Sequence, residues 1–89
     1  MKYNPGDLVA ITPARPDLRP EPERWGKGRA VLFRVQGVKQ NTLVVRVIAT
    51  SNPKFQVGAS YDVCRWKVTD VTEEGGEYFV DGRDDPIGV

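Results

Sequence analysis

AVLFRVQGVKQNTLVVRVIAT, residues 30–50, carries the most regular pattern in the chain. Val31, Phe33 and Val35 alternate with Leu32, Arg34 and Gln36. After the polar Lys39-Gln40-Asn41, Leu43, Val45, Val47 and Ala49 alternate with Thr42, Val44, Arg46 and Ile48. A period of two belongs to a pleated strand, whose successive side chains point to opposite faces, whereas a helix repeats about every 3.6 residues. Two such runs joined by a short polar turn predict an antiparallel hairpin, 30–38 with 42–50, because parallel strands need a long crossover. Arg34 and Gln36 are expected to face solvent.

Upstream, the turn signal Asn4-Pro5-Gly6 precedes a strand over 7–12, with Leu8 and Ala10 on one face and Val9 and Ile11 on the other. Pro13 stops it, since proline has no N–H for a ladder. Downstream, SNPKFQVGA (51–59) is a loop, with Phe55 and Val57 expected as core anchors. A strand over about 60–71 follows, in which apolar character changes face near Cys64, as a bulge or sharp bend would require. Trp66 within it is expected in the core. Gly75-Gly76 makes a turn and 77–81 a last short strand, leaving 82–89 as an acidic, turn-rich tail expected to fray. The prediction is an all-β fold, a single domain over 1–89: a five-stranded antiparallel barrel or roll with a long loop, 13–29, between strands 1 and 2.

The opening YNPGDLVAI resembles the Gly-Asp-x-Val start of SH3-like small barrels, the superfamily that includes KOW, Tudor and related nucleic-acid or polymerase-associated modules. The long loop after it falls where those folds carry their RT-type loop. The resemblance implies SH3-like topology and a binding role; an OB-like barrel or another β roll is the alternative.

A length of 89 residues suits one core. The single Cys64 excludes a disulfide within the chain and fits a reducing compartment, so a cytoplasmic location is expected. No apolar run approaches the roughly 18 residues of a membrane span and the N-terminus lacks the pattern of a signal peptide, so no membrane association is expected. The net charge of +1 hides an asymmetry. Residues 1–54 hold ten basic and four acidic side chains, residues 55–89 three and eight. Contact between the two halves, within the domain or between copies, is one reading of that division, and a structural homo-oligomer is accordingly a further alternative.

The sequence contains no histidine, which removes the commonest general base and every Cys-His or Ser-His nucleophile pair. One cysteine without histidine leaves no N/S set for tetrahedral zinc. The carboxylates Glu73, Glu74, Glu77 and Asp81, Asp84, Asp85 sit at turns without the ligand spacing of a Ca²⁺ loop. WGKGR (25–29) lacks P-loop spacing and precedes a strand. Cys64 is expected as a small apolar residue on a strand face. No cofactor, no metal and no enzymatic activity are expected.

What remains is binding. Arg15, Arg19, Arg24, Lys27 and Arg29 surround Trp25 in the long loop or at its exit, with Arg34 and Arg46 on the neighbouring hairpin. The prolines of this loop restrict its unfolded states and so lower the cost of ordering it, and Trp and Arg are the types most often found as interface anchors. These residues are the expected contact surface for a protein or nucleoprotein partner. Single-stranded nucleic acid is the alternative, cations meeting phosphates and an exposed aromatic stacking on bases. Whether Trp25 anchors a partner or folds back onto the barrel is left open by the sequence.

Overall fold

The computed structural model describes residues 3–12, 30–50, 52–80 and 87. Among these the chain is all β, with six strands: β1 (Leu8–Ile11), β2 (Val31–Val38), β3 (Thr42–Thr50), β4 (Ser60–Cys64), β5 (Thr69–Glu74) and β6 (Glu77–Val80). They pair antiparallel in one sheet of order β4-β3-β2-β1-β5-β6. The hairpin expected from residues 30–50 is β2 and β3, its turn closed by the Lys39 N–H donating to the Thr42 carbonyl at 2.8 Å. The single strand expected over 60–71 is instead two. One turn of 3-10 helix, Arg65–Lys67, separates β4 from β5, so six strands replace the expected five. The change of apolar face near Cys64 marks the point where the chain leaves one strand for another.

No ladder joins β4 to β5 among the described residues, so the sheet is unclosed. It is nevertheless curled. Cys64 and Thr69 stand on strands four spacings apart, about 19 Å across a flat sheet. The linking segment, three residues of it in a 3-10 turn, reaches only about 13 Å. Curling brings edge strand β4 toward β5 and wraps a core: Tyr3, Val9, Val31, Phe33, Val35, Leu43, Val45 and Val47 are buried together, with Tyr61, Val63 and Val68 packed against them. Phe55 joins edge-to-face with Phe33 and Tyr61, at centroid distances of 5.7 and 5.1 Å, as expected of an anchor. Val57, expected to do the same, is 66% exposed.

The opposite face is also covered at one end. Ala10, Ala30, Leu32, Val80 and Ile87 form a second buried cluster, with Ile48, Ala49, Val71 and Tyr78 against it. Leu32 is therefore as buried as its neighbour Phe33, although strict alternation assigns it to the face of Arg34. A register shift makes the two-sided arrangement possible. Phe33 pairs with Val47 but Leu32 with Ala49, so Ile48 is the extra residue of a bulge. Val47 stays in the first core while Ile48 and Ala49 enter the second. Of the tail, Ile87 is described: it is buried and its N–H donates to the Tyr78 carbonyl at 2.7 Å.

Local turns follow the sequence signals. Pro5 and Gly6 are the corners of a turn closed by the Asp7 N–H to the Asn4 carbonyl at 3.0 Å, and Gly6 takes φ 98°, a left-handed value that a Cβ would strain. Gly75 and Gly76 both have positive φ, 59° and 82°, as the two-residue turn joining β5 to β6 requires.

Candidate functional site

The first candidate surface is the hairpin face. Arg34 and Arg46 are direct cross-strand partners and both are exposed. Like charges set opposite each other destabilise a sheet unless their heads separate. Here they do. Arg34 Nη1 donates to the Gly6 carbonyl at 2.9 Å, toward β1, and Arg46 Nε donates to the Gly58 carbonyl at 3.0 Å, toward β4. Each arginine fastens a glycine turn to the strand beside it, so the pair forms two outward clamps and no shared anion cradle. Beside them Ser60 Oγ donates to Gln36 Oε1 at 2.8 Å, and Lys39 pairs with Asp62 at 3.0 Å. That exposed ion pair contributes little stability. The remaining residues expected at the contact surface, Arg15, Arg19, Arg24, Trp25, Lys27 and Arg29, lie outside the described residues.

A second surface arises where the sequence pointed to core. Trp66, expected to be buried, is 68% exposed. The reason is local: Trp66 is the middle residue of the 3-10 turn, where the period of two no longer holds and a side chain can project from the crossover. It stands beside a cleft of about 380 Å³ lined by Tyr3, Arg65, Trp66 and Val68. Val68 and Tyr3 form the apolar floor that continues into the core. Arg65 is held in place, its N–H donating to the Asn41 carbonyl at 3.2 Å and its Nη1 to the Gln40 carbonyl at 3.0 Å. Lys67, the next residue, is exposed.

Below the cleft, Tyr3 is buried and its hydroxyl bonds the Asp70 carboxylate. Burial first, and then the hydrogen bond and negative charge of Asp70, push the phenol up to about 12; the nearby Arg65 guanidinium opposes this weakly. Asp70 Oδ1 is buried with no hydrogen-bond partner among the described residues. Asp70 pairs with Val9 across β1 and β5, which places this carboxylate beneath the crossover. Among the described residues, no three cysteine or acidic side chains converge.

The cleft thus joins an accessible indole, an apolar floor and the Arg65 cation, and Lys67 follows next in the triplet Arg65-Trp66-Lys67. Its signal in the sequence was this cation-aromatic-cation triplet lying just after the apolar change of face. Comparison with known proteins finds no family model, no curated protein and no solved structure that matches the chain.

Proposed function

We propose that this domain is a non-enzymatic binding module of SH3-like topology that takes a segment of a protein partner at the Trp66 cleft. The observation that carries the reading is the 68% exposure of Trp66 beside an open cleft floored by Tyr3 and Val68. A large aromatic left in water gains most by being covered, and such residues dominate the energy of protein contacts. The topological part is supported by the first strand standing between β2 and β5, by the long connection over 13–29, and by the curl that turns the sheet around one core. The chain has no histidine, which favours binding over acid–base chemistry.

Single-stranded nucleic acid is the weaker reading, because Arg34 and Arg46 spend a donor each on backbone carbonyls and point apart. Replacement of Trp66 by Ala tests the proposal. The variant should lose less than about 1 kcal/mol in urea unfolding, since an exposed side chain leaves no cavity. Proteins captured from extract by the wild type should be lost with the variant. Equal capture by both overturns the cleft as contact surface. Retention on single-stranded DNA at about 50 mM salt, lost steeply as salt rises, would replace the protein partner with nucleic acid.

A further inference from the structure

We infer that the partner segment binds as an added strand on the open edge of β4, with a carboxylate at the end that meets Arg65 and Lys67. This rests on the Trp66 cleft being the contact surface.

The edge can be read from the register. Antiparallel strands alternate residues that bond their neighbour with residues whose backbone groups point away. The Val47 N–H donates to the Ala59 carbonyl at 3.0 Å, and the Arg65 N–H donates to the Asn41 carbonyl at 3.2 Å. With Leu43 opposite Val63 and Val45 opposite Tyr61, the residues bonding β3 are Ala59, Tyr61, Val63 and Arg65. Ser60, Asp62 and Cys64 therefore direct their N–H groups away from the sheet, as do the carbonyls of Ser60 and Asp62. The Cys64 carbonyl opens the 3-10 turn. No strand among the described residues pairs with this edge. The opposite edge differs, because the Tyr78 carbonyl of β6 already accepts from Ile87.

Ser60 and Asp62 are exposed, and an unpaired row of donors and acceptors is a template for an incoming strand. The charges along it choose the occupant. Asp62 is paired with Lys39, and the end of β4 leads into Arg65, whose guanidinium carries donors beyond the one given to Gln40, and then Trp66 and Lys67. An extended peptide that places a carboxylate there meets two cations, with an apolar side chain free to cover the indole. A second copy suits the edge poorly. The antiparallel register that pairs all five residues of β4 with themselves sets Asp62 opposite Asp62 and supplies no carboxylate at the crossover.

The test uses the full chain, ¹⁵N-labelled, and a blocked peptide of about seven residues, alternating threonine and valine and ending in two glutamates. Saturating peptide should slow exchange of the Ser60, Asp62 and Cys64 amides by about tenfold or more and leave those of Tyr61 and Val63, already bonded to β3, unchanged. The same peptide with alternate amides N-methylated should not bind. Asp62→Pro, which removes an outward donor and keeps the β3 ladder, should abolish the slowing; should that variant misfold, the N-methylated peptide still decides. Peptide that changes Trp66 fluorescence without slowing these amides, and binds Asp62→Pro equally, overturns strand addition while the cleft reading stands. No binding at all overturns both. Equal binding of a peptide ending in lysines overturns the charge assignment, and slowing that tracks protein concentration without peptide makes a second copy the occupant.

Discussion

Tyr3 is a largely buried phenol near the start of the chain, its hydroxyl directed to the carboxylate of Asp70 and its ring lining the cleft floor with Val68. Its raised pKa has a definite thermodynamic sign. The folded state holds the proton more tightly than the unfolded chain, whose tyrosine ionises near 10, so the contribution is complete below pH 10 and is lost as pH rises toward 12. Between those values, wild-type stability should fall by up to about 1.4 kcal/mol per pH unit, and Tyr3→Phe should flatten that slope in urea titrations. At neutral pH the same variant should lose about 1–3 kcal/mol, because the half-buried Asp70 carboxylate is left without that donor. A Tyr3→Phe protein with unchanged alkaline unfolding would refute the Tyr3–Asp70 bond. None of this was legible in the sequence, where Tyr3 precedes a turn and Asp70 lies far downstream. Trp66 was misread for a related reason: its alternation with Cys64 and Val68 is real in the sequence, but the chain leaves the strand at Arg65 and the pattern stops applying.

At the scale of elements, residues 30–50 were legible because a period of two with a polar break has few other solutions, and β2 and β3 follow it closely. Face assignment failed where an extra residue entered. Ile48 moves Ala49 to the second cluster, and the packing of Leu32 with sequence-distant Val80 and Ile87 in that cluster cannot be seen in a local pattern. The β5–β6 hairpin shows a local rule holding. Its Gly75-Gly76 turn requires left-handed backbone, so Gly76→Ala should cost about 1 kcal/mol by urea unfolding. Glu74 and Glu77 face each other across that turn. Glu77→Lys should therefore stabilise the hairpin by about 0.5 kcal/mol, an effect that salt diminishes. Farther along, Glu73 accepts a hydrogen bond from its cross-strand partner Tyr78, and that bond more than burial raises the Tyr78 pKa.

Taken whole, the molecule resolves a difficulty of small size by covering its sheet twice. One core lies inside the curl, and a second lies under β6 and Ile87. Ile87→Ala should consequently cost about 2–4 kcal/mol despite its place near the chain end, with both the lost methylenes and the loosened β6 contributing; a change below about 0.5 kcal/mol in chemical unfolding would show that the second cluster adds nothing. The all-β character was readable from periodicity, while the second core was not, because it depends on Ile87 meeting Leu32 and Ala10 from the far end of the sequence. The asymmetry of the two outer strands also governs crowding. Fibrils grow by strand pairing only if each unit offers a sticky border on both sides, and here the Ile87 amide occupies one carbonyl of the β6 border while the β4 border is open among the described residues. In the language of polymer chemistry the two described borders differ in reactivity: β6 has already spent a carbonyl on Ile87, so strand pairing in concentrated solution should start at β4.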